Sequence, residues 1–347
     1  MSNPKLTFTV LFIVFALVAG SGAAHSPVDA EDGRSPETAT EVEDPAKSWA
    51  IYGHLDGPGD VQYFSMDLDE GDRLYLSVLS TEEDFVPDLV VMGPGWEVPA
   101  NGSLDLEVPE GYGWVLVEGE AEGADFEPFT PGSYYHVAVY DEEVEVAGTY
   151  YAAVVSEEGE GPFSIAVGYL ESFTLVEWLS LPVSLLGIYS WEGQGWALIL
   201  GPALIVIVGG LVALLWFLRR QERALSMFQW TSAISGLFIL AWAATVLTQM
   251  TMALAKSGWS GGALVSMGFA AGSVLMARYA LVPAFSGPEV PDTGRRMGMV
   301  LVGLVALGLY SGLYVGPVLA FVAAVMPASM AAMTPGLKPK ASVSLGP

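Results

Sequence analysis

Twenty-three consecutive residues without a charge, Trp196–Leu218 (WALILGPALIVIVGGLVALLWFL), constrain this chain more than any other stretch. Rising about 1.5 Å per residue, a helix of that length reaches about 34 Å, enough to cross a hydrocarbon core of about 30 Å. Arg219, Arg220 and Arg223 follow at once. Three further runs are predicted to cross as well: Phe228–Thr248, Gly261–Phe285 and Met297–Val325. None carries Asp, Glu or His, the residues that proton-coupled transport, haem ligation or intramembrane metalloproteolysis would need. Only Arg278 brings a charge into a span, near enough to its end to snorkel to head groups or to meet a ligand or lipid there.

The rest of the chain is of opposite character. The 347 residues carry a net charge of −26, yet the mean hydropathy is +0.47. The two are compatible only if they belong to different regions. Residues 25–172 hold 34 acidic residues against Arg34, Lys47 and Arg73, a net of −31. A region this negative repels phosphate, which excludes nucleic acid as a partner. It favours cations, basic surfaces, a cell-surface polymer or another membrane protein. The absence of Cys excludes disulfides and thiolate chemistry. So acidic and Lys-poor a surface suits high ionic strength, where the Debye length falls to about 3 Å at 1 M and self-repulsion is muted, or serves plain solubility.

Residues 1–24 are expected to be a secretory signal: Lys5, an apolar run from Thr9 to Gly20, then Gly22-Ala23-Ala24 before a cleavage point at His25. Residues 25–46, rich in Pro, Ser and Glu, predict an acidic linker, disordered until near Glu41. Residues 47–170 predict an all-β extracellular sandwich or jelly roll. Its strands are expected at Trp49–Leu55, Val61–Leu68, Arg73–Ser80, Leu89–Met92, Gly113–Val117, Tyr134–Tyr140, Gly148–Ser156 and Phe163–Tyr169. Phe64, Met66 and Leu68 alternate with Ser65 and Asp67, and Leu74, Leu76 and Val78 repeat the device. The stretches Gly57–Asp60 and Asp69–Asp72 read as turns in which Gly supplies positive φ.

These segments carry a resemblance. Gly53–Phe64 (GHLDGPGDVQYF), Asp69–Leu76 (DEGDRLYL), Pro87–Gly95 (PDLVVMGPG) and Gly148–Val155 (GTYYAAVV) together resemble the bacterial pre-peptidase C-terminal domain, in order and spacing, over about a third of the chain. Gln62 stands where that family often has Asp, and Glu118–Pro131 is an acidic insertion. The late segments and the membrane part are similar to uncharacterised archaeal membrane proteins. The resemblance implies a β-sandwich and carries no established activity. The collagen-binding branch of this fold implies more: acidic residues flanking the first strand hold calcium there. The corresponding residues are Glu41, Glu43, Asp44 and Asp60, an oxygen-only set suited to a hard cation, as against diffuse cation screening.

Residues 171–195 contain Trp178, Tyr189 and Trp191, with Glu177 and Pro182 arguing against a crossing. They predict an interfacial segment, or a helix buried under the sandwich. Counting Lys and Arg in short loops puts Arg219–Arg223 and Arg295-Arg296 in the cytoplasm. An α-helical four-transmembrane bundle over 196–325 then leaves the C-terminal tail, 326–347, extracellular, like the β-domain. The chain is expected in the cell (plasma) membrane. Gly268 and Gly272, with Gly308, Gly312 and Gly316, stand four apart and predict close helix packing in the lipid bilayer, within the bundle or in an oligomer. Asn101-Gly102-Ser103 is a glycosylation sequon or a plain turn. His54 and His136 read as strand residues rather than ligands, and Met250, Met252, Met326, Met330 and Met333 as filler rather than copper ligands. No GxSxG, HExxH or P-loop occurs, so no enzyme activity is expected. The expected function is binding, adhesion or envelope organisation at the cell surface. The alternative is an accessory or sensing component of a transport system, in which the ectodomain captures a cation or solute; an accessory enzyme subunit is the third reading.

Overall fold

The computed structural model describes residues 26–98, 104–286 and 290–334. The signal segment with His25, the sequon at Asn101 and the end of the C-terminal tail lie outside the described residues. The N-terminal half is a β-sheet domain and the C-terminal half is helical. The chain divides into two compact units. One holds residues up to Ile199 from the β-domain side together with Gln249–Ser266; the other holds Leu200–Thr248 and the chain from Met267 onward.

Among the described residues, eleven strands build two sheets in the first unit. They are β1 (Ser26–Asp29), β2 (Thr40–Glu41), β3 (Trp49–Leu55), β4 (Val61–Leu68), β5 (Arg73–Ser80), β6 (Asp88–Pro94), β7 (Tyr112–Val117), β8 (Asp125–Glu127), β9 (Gly132–Glu143), β10 (Gly148–Val155) and β11 (Gly161–Val167). The sheet orders are β1-β3-β11-β5-β9-β8 and β2-β4-β10-β6-β7. One core cluster draws Ile51, Leu76, Val78, Phe163 and Ile165 from the first sheet and Phe64, Met66, Val91 and Ala152 from the second. The period-2 alternation thus turns one face of each sheet inward. Gly59 and Gly71 adopt φ of +80° and +90° in the turns after β3 and β4, a region that costs a side chain but not glycine.

Two segments depart from the sequence reading. Residues 25–46 are expected to be a linker, but Ser26–Asp29 pairs in parallel with Trp49–Tyr52, and Thr40–Glu41 with Phe64–Ser65. The segment supplies the edge strand of each sheet. Edge pairing needs backbone hydrogen bonds, not apolar side chains, so composition does not reveal it. The second departure is Tyr63, which shares the predicted polar face of β4 with Ser65 and Asp67. It is buried in a second cluster with Val90, Met92 and Trp114, under partly buried Leu104, Leu106 and Val108. Its hydroxyl donates to Glu107 O at 3.0 Å and accepts from Glu107 N at 2.9 Å.

Helix α1 (Leu175–Trp191) follows. Thr174 caps it, accepting from Glu177 N at 3.2 Å while the Glu177 carboxylate accepts from Thr174 N at 2.7 Å, a reciprocal capping box. Among the described residues three helices are long and apolar enough to cross a membrane: α2 (Trp196–Arg220), α3 (Met227–Ser257) and α4 (Ala263–Phe285). The arrangement is compatible with a multi-pass membrane protein.

The expected fourth span, Met297–Val325, is not one helix. Helix α5 (Thr293–Gly308) stops, and α6 (Val315–Val325) begins after a left-handed stretch in which Tyr310, Gly312, Leu313 and Tyr314 have φ between +49° and +71°. Arg296, in the first turn of α5, donates to Ala324 O at 2.8 Å and Met326 O at 2.6 Å, at the far end of α6. The two helices therefore form an antiparallel hairpin. At about 24 Å and 16 Å neither spans a hydrocarbon core. Hydropathy sums alone do not distinguish a straight span from a hairpin of equal length. The chain after Val325 leaves beside the start of α5, and Met333 O accepts from Met227 N at 2.7 Å. The beginning of the tail thus lies at the end of the unit that holds Arg223, Arg295 and Arg296, not at the opposite end, as four crossings would require.

The core of this helical unit is small-residue packing: Ala277, Ala280, Ala306, Ala320 and Ala323 around Phe228, Ile239 and Met299. Side chains bond backbone across helices, as Ser232 does to Ala280 O at 2.6 Å and Ser235 to Gly316 O at 2.7 Å.

Candidate functional site

Four elements of the β-domain unit converge on one polar cavity of about 130 Å³. Adjacent strands β5 and β9 bring Thr81 and Pro131-Gly132-Ser133 to one end of their sheet. The residues after α1 contribute Glu192 and Gln194, and the last turns of α3 contribute Gln249, Met252, Ala253 and Lys256. The end of α1 is fixed by Trp191, whose Nε1 donates to Gly53 O at 2.9 Å and whose ring meets Tyr52 edge-on at 4.8 Å. The α3 end is fixed by Ala253, buried with Phe126 and Ala263.

Within the cavity wall the polar groups form a chain. The Tyr134 hydroxyl donates to one oxygen of Glu192, and Gln194 Nε2 donates to the other at 2.9 Å. Gln194 and Gln249 exchange two amide hydrogen bonds of 2.8 Å each. Gln249 is 1% exposed, and a buried amide is held in place only when it is paired in this way. Lys256 Nζ donates to Thr81 O and stands 5.3 Å from the Tyr135 ring. Burial pushes the Glu192 carboxyl above its ordinary range; the bonds from Tyr134 and Gln194 and the field of Lys256 oppose that shift. Burial, then the charge of Glu192, pushes the Tyr134 phenol well up, so Tyr134 is a donor to the carboxylate at any ordinary pH.

Ser133 is a lining residue of the same cavity and is 7% exposed; its hydroxyl is buried with no hydrogen-bond partner among the described residues. Buried hydroxyls are nearly always satisfied. Of the four basic residues in the unit, three pair with carboxylates. Arg34 holds Asp32 at 2.9 Å, Asp56 at 3.4 Å and Asp60; Lys47 holds Glu177 at 2.5 Å; Arg73 grips Asp141 at 2.6 Å. Among the described residues Lys256 forms no such pair.

The residues singled out from sequence fare differently. Glu41, Glu43, Asp44 and Asp60 are not gathered into a site, and among the described residues no group of three His, Cys, Asp or Glu is placed to hold a metal. Asp60 is occupied by the protein's own cation: it takes the Arg34 guanidinium and the backbone N–H groups of Asp56 and Val61, at 2.8 and 2.9 Å. Burial opposes ionisation of Asp60, but these bonds prevail and hold its carboxyl low. Asp44 accepts from Lys47 N at 3.3 Å. His54 and His136 are exposed, beside Asp56 and Asp125. Arg278 is exposed on α4.

The predicted glycine ladder divides. A Cβ on Gly312 would come within 3.0 Å of the Phe238 backbone, and one on Gly316 within 2.7 Å of Ile239, so both lie tight against α3. Gly272 is buried, while Gly268 and Gly308 face open space. Gly303 lies under the Phe321 ring, where a Cβ would come within 2.7 Å.

Sequence reading missed the cavity. Its charged members were visible, Glu192 between two apolar runs and Lys256 at the end of another, but their meeting depends on tertiary structure.

No family model matches the chain, and no curated protein does. Among solved structures it is similar to PliG, a periplasmic inhibitor of g-type lysozyme, from Aeromonas hydrophila, at 13% identity over 41% of this chain and 97% of that one, with a TM-score of 0.25. PliG from Salmonella Typhimurium gives 14% identity, 38% and 96% coverage and a TM-score of 0.21. The pre-peptidase C-terminal domain of collagenase from Bacillus anthracis gives 14%, 42%, 97% and 0.21. A pre-peptidase C-terminal domain is thus among the neighbours; neither family membership nor an archaeal relationship is shown.

Proposed function

We propose that the chain is a multi-pass cell-surface protein whose acidic β-sandwich ectodomain binds a small solute and reports its presence to the helical unit. One observation carries the reading. Helix α3 is continuous from Met227 to Ser257, and its residues up to Thr248 belong to the helical unit while Gln249 onward belong to the β-domain unit. Gln249 and Lys256, near its end, are walls of the polar cavity. A 31-residue helix is about 46 Å long, longer than a hydrocarbon core needs by roughly ten residues. A solute in the cavity touches the same rigid element that crosses the lipid, and differential contact with that element is what a sensing role requires.

Charge supports the orientation. Arg223 donates to Phe285 O at 3.3 Å and to Ser286 O, and Arg296 caps the end of α6, so the α2–α3 loop, the end of α4 and both ends of the hairpin share one basic end. Basic ends stay cytoplasmic. The β-domain is then extracellular, and the chain after α6 begins on the cytoplasmic side. The net charge of −31 over residues 25–172 favours a second reading, cation-mediated adhesion or envelope organisation, which needs no cavity.

Because the chain has no Cys, single introduced cysteines report their own location. Thr149→Cys is expected to react with a membrane-impermeant maleimide on intact cells, and Glu222→Cys only after permeabilisation. The reverse pattern would remove the surface role.

A further inference from the structure

We propose that the cavity between β5, β9, the end of α1 and the end of α3 binds a small zwitterion of amino-acid size, with Lys256, Gln249 and Ser133 taking its carboxylate and Glu192 its ammonium. The proposal rests on the binding role above and names the ligand class. In a unit so rich in carboxylates, an ammonium group without an ion-pair partner is exceptional. Arg34, Lys47 and Arg73 all have one, and Lys256, which donates to the Thr81 carbonyl, keeps N–H groups to spare. Gln249 uses one amide N–H on Gln194 and keeps the other. The Ser133 hydroxyl is wholly uncommitted. The residues that carry these donors line one cavity. Such a set matches a carboxylate. The lone carboxylate of the wall, Glu192, keeps acceptor capacity beyond Tyr134 and Gln194, and matches an ammonium.

The same groups reject the other classes. A metal cation would face Lys256 and find a single carboxylate. Phosphate would face Glu192 inside a strongly negative domain. An apolar molecule would leave Ser133 and Lys256 unsatisfied. The size agrees as well. An engineered cavity of about 150 Å³ accommodates benzene, with six heavy atoms, so 130 Å³ suits glycine or alanine.

The test uses the full chain in lipid nanodiscs and equilibrium dialysis with labelled glycine and L-alanine. Saturable one-to-one binding is expected for at least one of them. Lys256→Gln and Glu192→Gln are each expected to weaken it about tenfold or more, as for a lost charge-assisted hydrogen bond. Ser133→Ala removes a hydroxyl that has no partner among the described residues, so it keeps the fold and still weakens binding severalfold. Acetate and methylamine are each expected to bind at least about tenfold more weakly, having one charge only. The proposal is overturned if neither amino acid binds saturably to a chain that melts cooperatively, if acetate binds as well as glycine, or if all three variants bind like the parent. Outward labelling at Thr149→Cys together with no amino-acid binding would discard this ligand and keep the surface role; inward labelling with binding would do the opposite.

Discussion

The β-domain unit and the helical unit bury different residues for the same purpose. Between the sheets lie large side chains, Phe64, Leu76, Tyr150 and Phe163, each fully buried. Between the helices lie alanines and glycines, with Ser232, Ser235 and Gln229 bonded to backbone carbonyls on neighbouring helices. Their surfaces differ in the opposite sense: one is dense in carboxylates, while α2 presents Leu204, Ile205, Val208 and Val212 outward. In water the removal of apolar area drives folding, so large side chains hold the sheets together. In lipid that drive is absent between helices, and close approach of small residues with interhelical hydrogen bonds takes its place. The contrast can be broken by substitutions that should damage one unit and spare the other.

The largest effect is expected from Phe64→Ala. It empties the space against Phe163, whose ring centroid is 6.4 Å away, and should cost about 3–5 kcal/mol. Limited proteolysis on a temperature ramp would show the β-domain cut at lower temperature, with fragments of α2–α4 still protected. Equal loss of protection in both units would mean that they fold as one.

Next comes Gly316→Val. The new side chain would press into Ile239, and overpacking of this kind costs about 1–3 kcal/mol. Gly268→Val, where a Cβ meets nothing within 4 Å, should leave the melting temperature of the helical unit unchanged. The pair separates close packing from mere small-residue content, since each position belongs to a predicted run of glycines four apart.

That pair also marks how far sequence reaches. The limits of β4 and β5 follow from alternation of Phe64, Met66 and Leu68 and of Leu74, Leu76 and Val78, because two-residue periodicity is local. Three long apolar helices follow from hydropathy for the same reason. What escaped is non-local. Ser26–Asp29 joins a sheet through its backbone alone. The break at Tyr310–Tyr314 interrupts a run, Met297–Val325, that carries no charge to mark it. The expectation of calcium at Glu41, Glu43, Asp44 and Asp60 came from a resemblance, and no local spacing announces that Arg34 pairs with Asp60. The cavity combines residues from positions 81 to 256, and no local spacing announces it.

Glu192→Gln should act through pH. Burial raises the Glu192 carboxyl above its unfolded value, so the folded protein binds this proton more tightly than the unfolded chain does. Its contribution to stability is present below the unfolded value and lost as pH rises through the folded one. The variant removes that loss. Above this window the β-domain of Glu192→Gln should melt higher than the parent, and below it the two should converge. The helical unit should show no such pH dependence. A variant that melts lower at all pH values would mean that the Tyr134 bond outweighs the desolvation of the carboxylate.

The smallest effect is expected at Arg73→Gln, although its geometry looks the strongest. Arg73 grips both oxygens of Asp141 at 2.6 and 2.7 Å, and its guanidinium stands 5.1 Å from the Tyr169 ring. The hydrogen bond from Arg73, rather than burial, holds Asp141 low, and both side chains are open to solvent. Exposed pairs of this kind add little, and salt screens them further. The substitution should leave the β-domain melt unchanged in molar salt and lower it slightly at low ionic strength, where a net charge of −31 loses one of its three neutralising partners. A large loss of stability that persists in molar salt would show that this cation is structural rather than a local counter-ion. The view that cavity-facing Lys256 is the unusual basic residue of the unit would then need Arg73 beside it.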